Sequence, residues 1–113
     1  MTTTFQYPSL RDRTVIVTGG GQGLGREMAL ALIAQGANVV ITSVSDTASR
    51  DQTTRDAQAL GADSGDVLAL KADVANWADC QNVVDQARQK FGAIHALINN
   101  AGRGMRLISE TFN

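Results

Sequence analysis

Cysteine and histidine are almost absent from this chain. Cys80 is the only thiol and His95 the only imidazole in 113 residues. A single cysteine closes no internal disulfide, and the two together cannot build a cysteine-rich metal site. Most zinc-ligand sets and histidine-based triads are excluded on the same ground. Charge of either sign is also unremarkable: 10 Lys plus Arg stand against 11 Asp plus Glu, with no basic run. That balance argues against a sequence-independent nucleic-acid footprint. No apolar run reaches membrane-spanning length, and Met1 to Leu10 has no apolar signal core. A cytoplasmic protein without nucleic-acid or membrane partners is expected. Hydrophobic residues make up 43% and charged residues 19%, which suits one modest globular domain with one core.

What the chain does have is glycine, concentrated in Thr18-Gly-Gly-Gly-Gln-Gly-Leu-Gly25. This stretch follows the apolar run Val15-Ile16-Val17 and opens a helical pattern near Leu24. A strand that turns through glycines into a helix presents unpartnered first-turn amides and the positive end of the helix dipole to an anion. Residues without a Cβ let a phosphate approach the backbone and can accept positive φ. Within this stretch the seven residues Thr18, Gly19, Gly21, Gln22, Gly23, Leu24 and Gly25 are thus the candidate phosphate cradle. The alternative is an ordinary strand-helix turn rich in glycine.

The rest of the chain alternates. Strands are expected at Arg13–Thr18, Val39–Thr42, Val67–Leu70 and Ile94–Ile98, each a short apolar run of the doubly buried kind. Between them, Leu24–Gln35 repeats Leu24, Met28, Ala31 and Leu32 at helical spacing and stops at Gly36. Ala48–Leu60 is a weakly amphipathic helix with Ala48, Ala57, Leu60 and threonines inward. Asn76 is an N-cap with Asp79 three residues on. The following helix carries Cys80, Val83, Val84, Ala87 and Phe91 on one stripe. Cys80 is therefore core filling, and Trp77 is expected to pack. Strand-helix alternation implies a parallel sheet with right-handed crossovers. The fold expected is α/β, Rossmann-like and doubly wound, with strand order 3-2-1-4.

The spacing Thr18-Gly19-x-x-x-Gly23-x-Gly25, together with Asn99-Asn100-Ala101-Gly102 after the fourth strand, resembles the short-chain dehydrogenase/reductase family. The resemblance runs from about Arg11 to Gly102. It implies an oxidoreductase that transfers hydride between NAD(P) and a small carbonyl or alcohol substrate. It further implies that Asp73 and Val74 lie beside the adenine and that Asn100, Ala101 and Gly102 lie against the cofactor ribose. Asn99 is then structural, joining the central strands. The resemblance also implies a homo-oligomer in the full-length form.

At the end of the second strand a dinucleotide fold separates NAD from NADP: an acid there pairs with the ribose hydroxyls and repels the 2′-phosphate. Ser43 occupies that place, followed by Val44, Ser45 and Asp46, so NADP(H) is expected over NAD(H). Two departures weigh the other way. Val44 stands where NADP-using relatives often carry arginine, and Gly20 and Gly21 stand where relatives often carry polar residues. Ser43, Ser45 and Asp46 also read as plain turn residues. His95, where relatives often have Asp, is expected at the head of the strand with one ring nitrogen bonded to backbone. The family's Tyr-x-x-x-Lys pair, which performs its acid–base step, has no counterpart here: Tyr7 is the only tyrosine and Arg11 follows it by four. No catalytic residue is assigned. Residues 1–113 are expected to be the N-terminal, cofactor-binding part of a single Rossmann domain whose catalytic part is absent, and to be inactive alone. The alternative is a self-contained nucleotide-binding module without hydride chemistry.

Overall fold

In a computed structural model of the protein, residues 8–44, 47–61 and 64–100 are described. Their elements alternate as β1 (Thr14–Thr18), α1 (Gly23–Ala34), β2 (Asn38–Ser43), α2 (Thr47–Gln58), β3 (Val67–Lys71), α3 (Trp77–Phe91) and β4 (Ala96–Asn99). The four strands form one parallel sheet in the order β3-β2-β1-β4. This is the Rossmann-like arrangement, with the strand order expected from the alternation. No helix among the described residues is long and apolar enough to cross a membrane.

Alternate residues of each strand face opposite sides, so the sheet carries two cores. On one face Val15, Val17, Val39, Ile41 and Val67 pack with Ala29 and Ile33 of α1 and Ala57 of α2. On the other, Ile16 and Val40 pack with Val83 and Ala87 of α3. The two helices of the first face bring small residues to the sheet. α1 buries Gly25, Ala29 and Ile33, not the expected stripe through Leu24, which is exposed. α2 buries Arg50, Thr53 and Ala57, while Ala48 and Leu60 face outward. Close helix-sheet approach selects small side chains, and a count of large apolar residues misses that phase by one position.

Register places the strand ends in one row, with Thr18 beside Thr42 on one side and Asn99 on the other. β4 begins at Ala96, two residues later than its apolar run, because His95 is engaged differently. The His95 N–H donates to the Thr14 carbonyl (2.9 Å), and the Thr14 N–H donates to His95 Nδ1 (2.9 Å). The ring thus stands in for a backbone acceptor at the head of the strand. β4 is the thinly covered part of the sheet: Leu97 is 62% exposed. Trp77, expected to pack, is 76% exposed in the first turn of α3.

Candidate cofactor site

The row of strand ends carries the glycine turn. Gly19 and Gly20 donate to the Thr42 carbonyl (2.8 and 3.1 Å), so the chain stays fastened to β2 after β1 has ended. Gly19 (φ 71°) and Gly23 (φ 55°) adopt the left-handed conformation that favours glycine. A Cβ on Gly20 would come within 2.5 Å of Ile41 Cγ2, which is a packing reason for glycine where relatives often carry larger residues. At Gly25 a Cβ would collide with the Gly19 carbonyl oxygen and lie 2.5 Å from Asn100 Nδ2. Gly25 therefore lets the first turn of α1 press against both the turn and the end of β4.

The helix end so exposed is bare. Gln22 is the N-cap of α1 but its side chain makes no capping bond, and no acidic residue lies in the first turn. Space around Gly23 is open, with nothing within 4 Å of where its Cβ would be. α3 shows the contrast: Asn76 Oδ1 accepts from the Asp79 N–H (3.0 Å), with Asp79 itself in the first turn. Among the described residues no side chain caps these amides, and the dipole favours an anion there.

The other predicted residues fall around this opening. Thr18 Oγ1 accepts from the Asn100 N–H (2.8 Å) and donates to Asn99 Oδ1 (3.1 Å), tying β1 to β4 across the row. That contact fits the structural role expected of Asn99. Ser43 ends β2, and its carbonyl accepts from the Ala72 N–H (3.1 Å) just before Asp73. Asp73 is engaged within its own loop: Oδ1 accepts from the Ala75 N–H (2.9 Å), while its N–H donates to Asp79 Oδ2 (2.9 Å). Val74 is exposed, and its carbonyl accepts a bond from Cys80 Sγ (3.4 Å). Ser45, Asp46, Ala101 and Gly102 lie outside the described residues. Thr18, Gly19, Gly25, Asn99 and Asn100 thus converge. Ser43 and Asp73 sit farther along the same end of the sheet, on the β2 and β3 side.

Two contributions were not anticipated from sequence. α2 braces the glycine turn: Gln22 Nε2 donates to Ser49 Oγ (3.1 Å), and the Thr53 hydroxyl is shared between the Ser49 carbonyl (3.1 Å) and the Gly21 carbonyl (3.4 Å). Arg26, one turn into α1, forms an ion pair with Asp56 of α2. Arg50 is buried against Ser43. Its signal in the sequence is an arginine in the first turn of a helix, the end where the dipole disfavours a cation. No group of three or more possible metal ligands occurs among the described residues. A separate cleft of about 400 Å³ lies at the opposite end of the sheet, near Arg11, Gly36, Asn38 and Gly65.

Comparison with known proteins agrees with this geometry. The family model described as short chain dehydrogenase matches residues 13–113. A short chain dehydrogenase/reductase from Macrophomina phaseolina, dpmpG, is 37% identical over 93 residues, spanning 82% of this chain and 51% of its own. A mutant of the Serratia marcescens short-chain dehydrogenase/reductase superposes with a TM-score of 0.77 at 34% identity, over 84% of this chain and 37% of that one. A crystal structure of the NADH-dependent reductase A1-R′ complexed with NAD superposes with a TM-score of 0.73 at 31% identity, over 83% and 38%. The chain spans about half the length of the curated relative and less than two fifths of those two solved structures. From residue 13 onward, through the bare helix end and the strand row that frames it, the chain belongs to the short-chain dehydrogenase family.

Proposed function

We propose that this chain is the cofactor-binding part of an NAD(P)-dependent oxidoreductase that moves hydride between nicotinamide and a carbonyl or alcohol substrate. The observation that carries the reading is the uncapped N-terminus of α1, open in front of Gly23 and closed behind by the fit of Gly25 against Gly19. A pyrophosphate fits that opening: amides and dipole supply the positive end, and the missing Cβ atoms supply the room. The related reductase in complex with NAD supports a nicotinamide cofactor for this fold. Bound there, the nicotinamide ring accepts or gives the hydride.

Thr18, Gly19, Gly21, Gln22, Gly23, Leu24 and Gly25 line the phosphates in this reading. Asp73 and Val74 flank the adenine, with the Asp73 carboxylate already oriented by its loop. Asn100, Ala101 and Gly102 border the ribose, where Thr18 fixes the Asn100 backbone. Ser43 at the end of β2 offers no negative charge to a 2′-phosphate, which favours NADP(H) over NAD(H). The acid–base residues lie in the part of the protein outside these 113 residues.

Fluorescence titration of the full-length protein with NADPH and NADH tests the reading. Saturable binding of either, tighter for NADPH, is expected. Failure of both to bind overturns it, and equal or tighter NADH binding overturns the preference.

A further inference from the structure

Within the glycine turn Gly21 is buried, whereas Gln22 and Gly23 after it are exposed. A buried carbonyl needs a partner, and the Gly21 carbonyl finds one on α2. The Thr53 hydroxyl lies 3.4 Å from it and 3.1 Å from the carbonyl of Ser49, one turn back in the same helix. A threonine inside a helix ordinarily returns its proton to the carbonyl four residues earlier. Here the proton is shared with a second acceptor 32 residues away in the chain. Thr53 is fully buried on an otherwise polar helix, and Ala57, one turn on, is packed in the core. Its hydroxyl is therefore held in place from its own side.

A trans peptide is planar, so its C=O and N–H point in opposite directions. Holding the Gly21 carbonyl on α2 therefore directs the Gln22 N–H away from α2. The Gln22 side chain is drawn to α2 as well, with Nε2 donating to Ser49 Oγ (3.1 Å), and it makes no capping bond to α1. A Cβ on Gly21 would lie 3.5 Å from Ser43 Oγ and 3.6 Å from Ser49 Cβ, ordinary contact distances, so the turn is seated between β2 and α2 without a clash. Glycines give this stretch little stiffness of its own. Gly19 and Gly20 are fastened to β2 through the Thr42 carbonyl. Past them the turn is steadied from α2.

Resting on the dinucleotide reading above, we propose that Thr53 is a positioning residue for the cofactor: through the Gly21 carbonyl it sets the orientation of the Gly21–Gln22 peptide and so prepares the turn for a pyrophosphate. Thr53 does not touch the cofactor. An anion drawing on the Gln22 N–H makes the carbonyl of the same peptide a stronger acceptor, because hydrogen bonds in a chain polarise one another. The shared Thr53 proton then moves toward Gly21 and away from Ser49. A turn already oriented spares the ordering that a glycine-rich segment otherwise costs on binding. The brace serves the part that NAD(H) and NADP(H) have in common, so it raises affinity without choosing between them.

The test is a binding titration of the full-length protein with NADP⁺, NAD⁺ and ADP, for the unmutated protein, Thr53→Val and Thr53→Ser. Thr53→Val keeps the shape of the side chain and removes its hydroxyl. It should weaken all three ligands by the same factor, roughly 2- to 10-fold, the scale of one hydrogen bond. Thr53→Ser restores the hydroxyl and should bind all three within about twofold of the unmutated protein. A second measurement uses the unmutated protein alone and stands even if the valine variant does not fold. Inorganic pyrophosphate, which has no ring current, should shift the Gln22 amide and the buried Thr53 methyl together in an NMR titration. Unchanged affinities in Thr53→Val, a serine variant no better than valine, or a Thr53 methyl that stays still while the Gln22 amide moves would each assign Thr53 to packing and overturn the inference. Loss of NADP⁺ without loss of NAD⁺, or the reverse, overturns it while leaving the dinucleotide reading intact. No binding of any nucleotide to the unmutated protein overturns both.

Discussion

Replacing Gly25 with alanine sets two physical effects against each other. By helix propensity alone the substitution should stabilise α1 by up to about 1 kcal/mol. The structure predicts the opposite, because the new methyl would strike the Gly19 carbonyl oxygen and sit 2.9 Å from the Gly19 carbonyl carbon. These are backbone atoms, and Gly19 is itself fastened to Thr42 by a 2.8 Å bond. No rotamer change relieves the clash. The Asn100 amide, 2.5 Å away, can swing aside, but only by leaving its place beside the turn. Overpacking of this kind costs about 1–3 kcal/mol, which matches or exceeds the propensity gain. Set against the full propensity gain, the expected net loss is up to about 2 kcal/mol, or up to roughly 1 M in urea midpoint for a protein with a slope near 2 kcal/mol/M. Gly21→Ala is the control, since its Cβ meets Ser43 and Ser49 at ordinary contact distance. Urea unfolding of both variants in the full-length protein, followed by circular dichroism, provides the comparison. Gly25→Ala at or above the stability of the parent, with unchanged cofactor affinity, would refute the close approach of α1 to the turn.

Three further outcomes follow from the same geometry. Ser43→Asp should reverse cofactor preference toward NAD(H), because the carboxylate repels a 2′-phosphate and bonds the ribose hydroxyls; competitive titration with both cofactors checks it, and an unchanged order contradicts it. His95→Ala should cost about 1–2 kcal/mol in chemical denaturation by leaving the Thr14 N–H without its acceptor. His95→Asn should recover part of that loss. The 113-residue chain expressed alone should be marginal, self-associating or dye-binding and without turnover. Leu97 is exposed on β4, and uncovered apolar side chains forfeit about 1.5–3 kcal/mol each against a typical net stability of about 5–15 kcal/mol. A monomeric, cooperatively unfolding chain in gel filtration and calorimetry would contradict this expectation.

Strand order and the placement of helices on both faces were legible in the sequence. Short apolar runs and glycine stops record burial and turns directly, and right-handed crossovers leave little freedom in topology. The glycine turn was legible for the same reason. Its details were less so. The inward phase of α1 depends on Gly25 and Ala29, small residues that carry no hydrophobic signal of their own. Arg50 reads as a surface residue of a polar helix, and only the register of α2 against Ser43 turns it inward, whereas the inward threonine expected there is Thr53. Trp77 shows the converse. An aromatic side chain suggests packing, but its position in the first turn of α3 points it away from the apolar stripe through Val83 and Ala87.

The most direct test is an amide-resolved NMR titration of the full-length protein with NADP⁺. Binding at the bare end of α1 predicts that the largest shifts fall on Gly19, Gly21, Gly23, Leu24 and Gly25. Smaller shifts should follow at Ser43, Asp73, Val74 and Asn100. Shifts gathered instead around Arg11, Gly36, Asn38 and Gly65, which border the cleft at the other end of the sheet, would contradict the account.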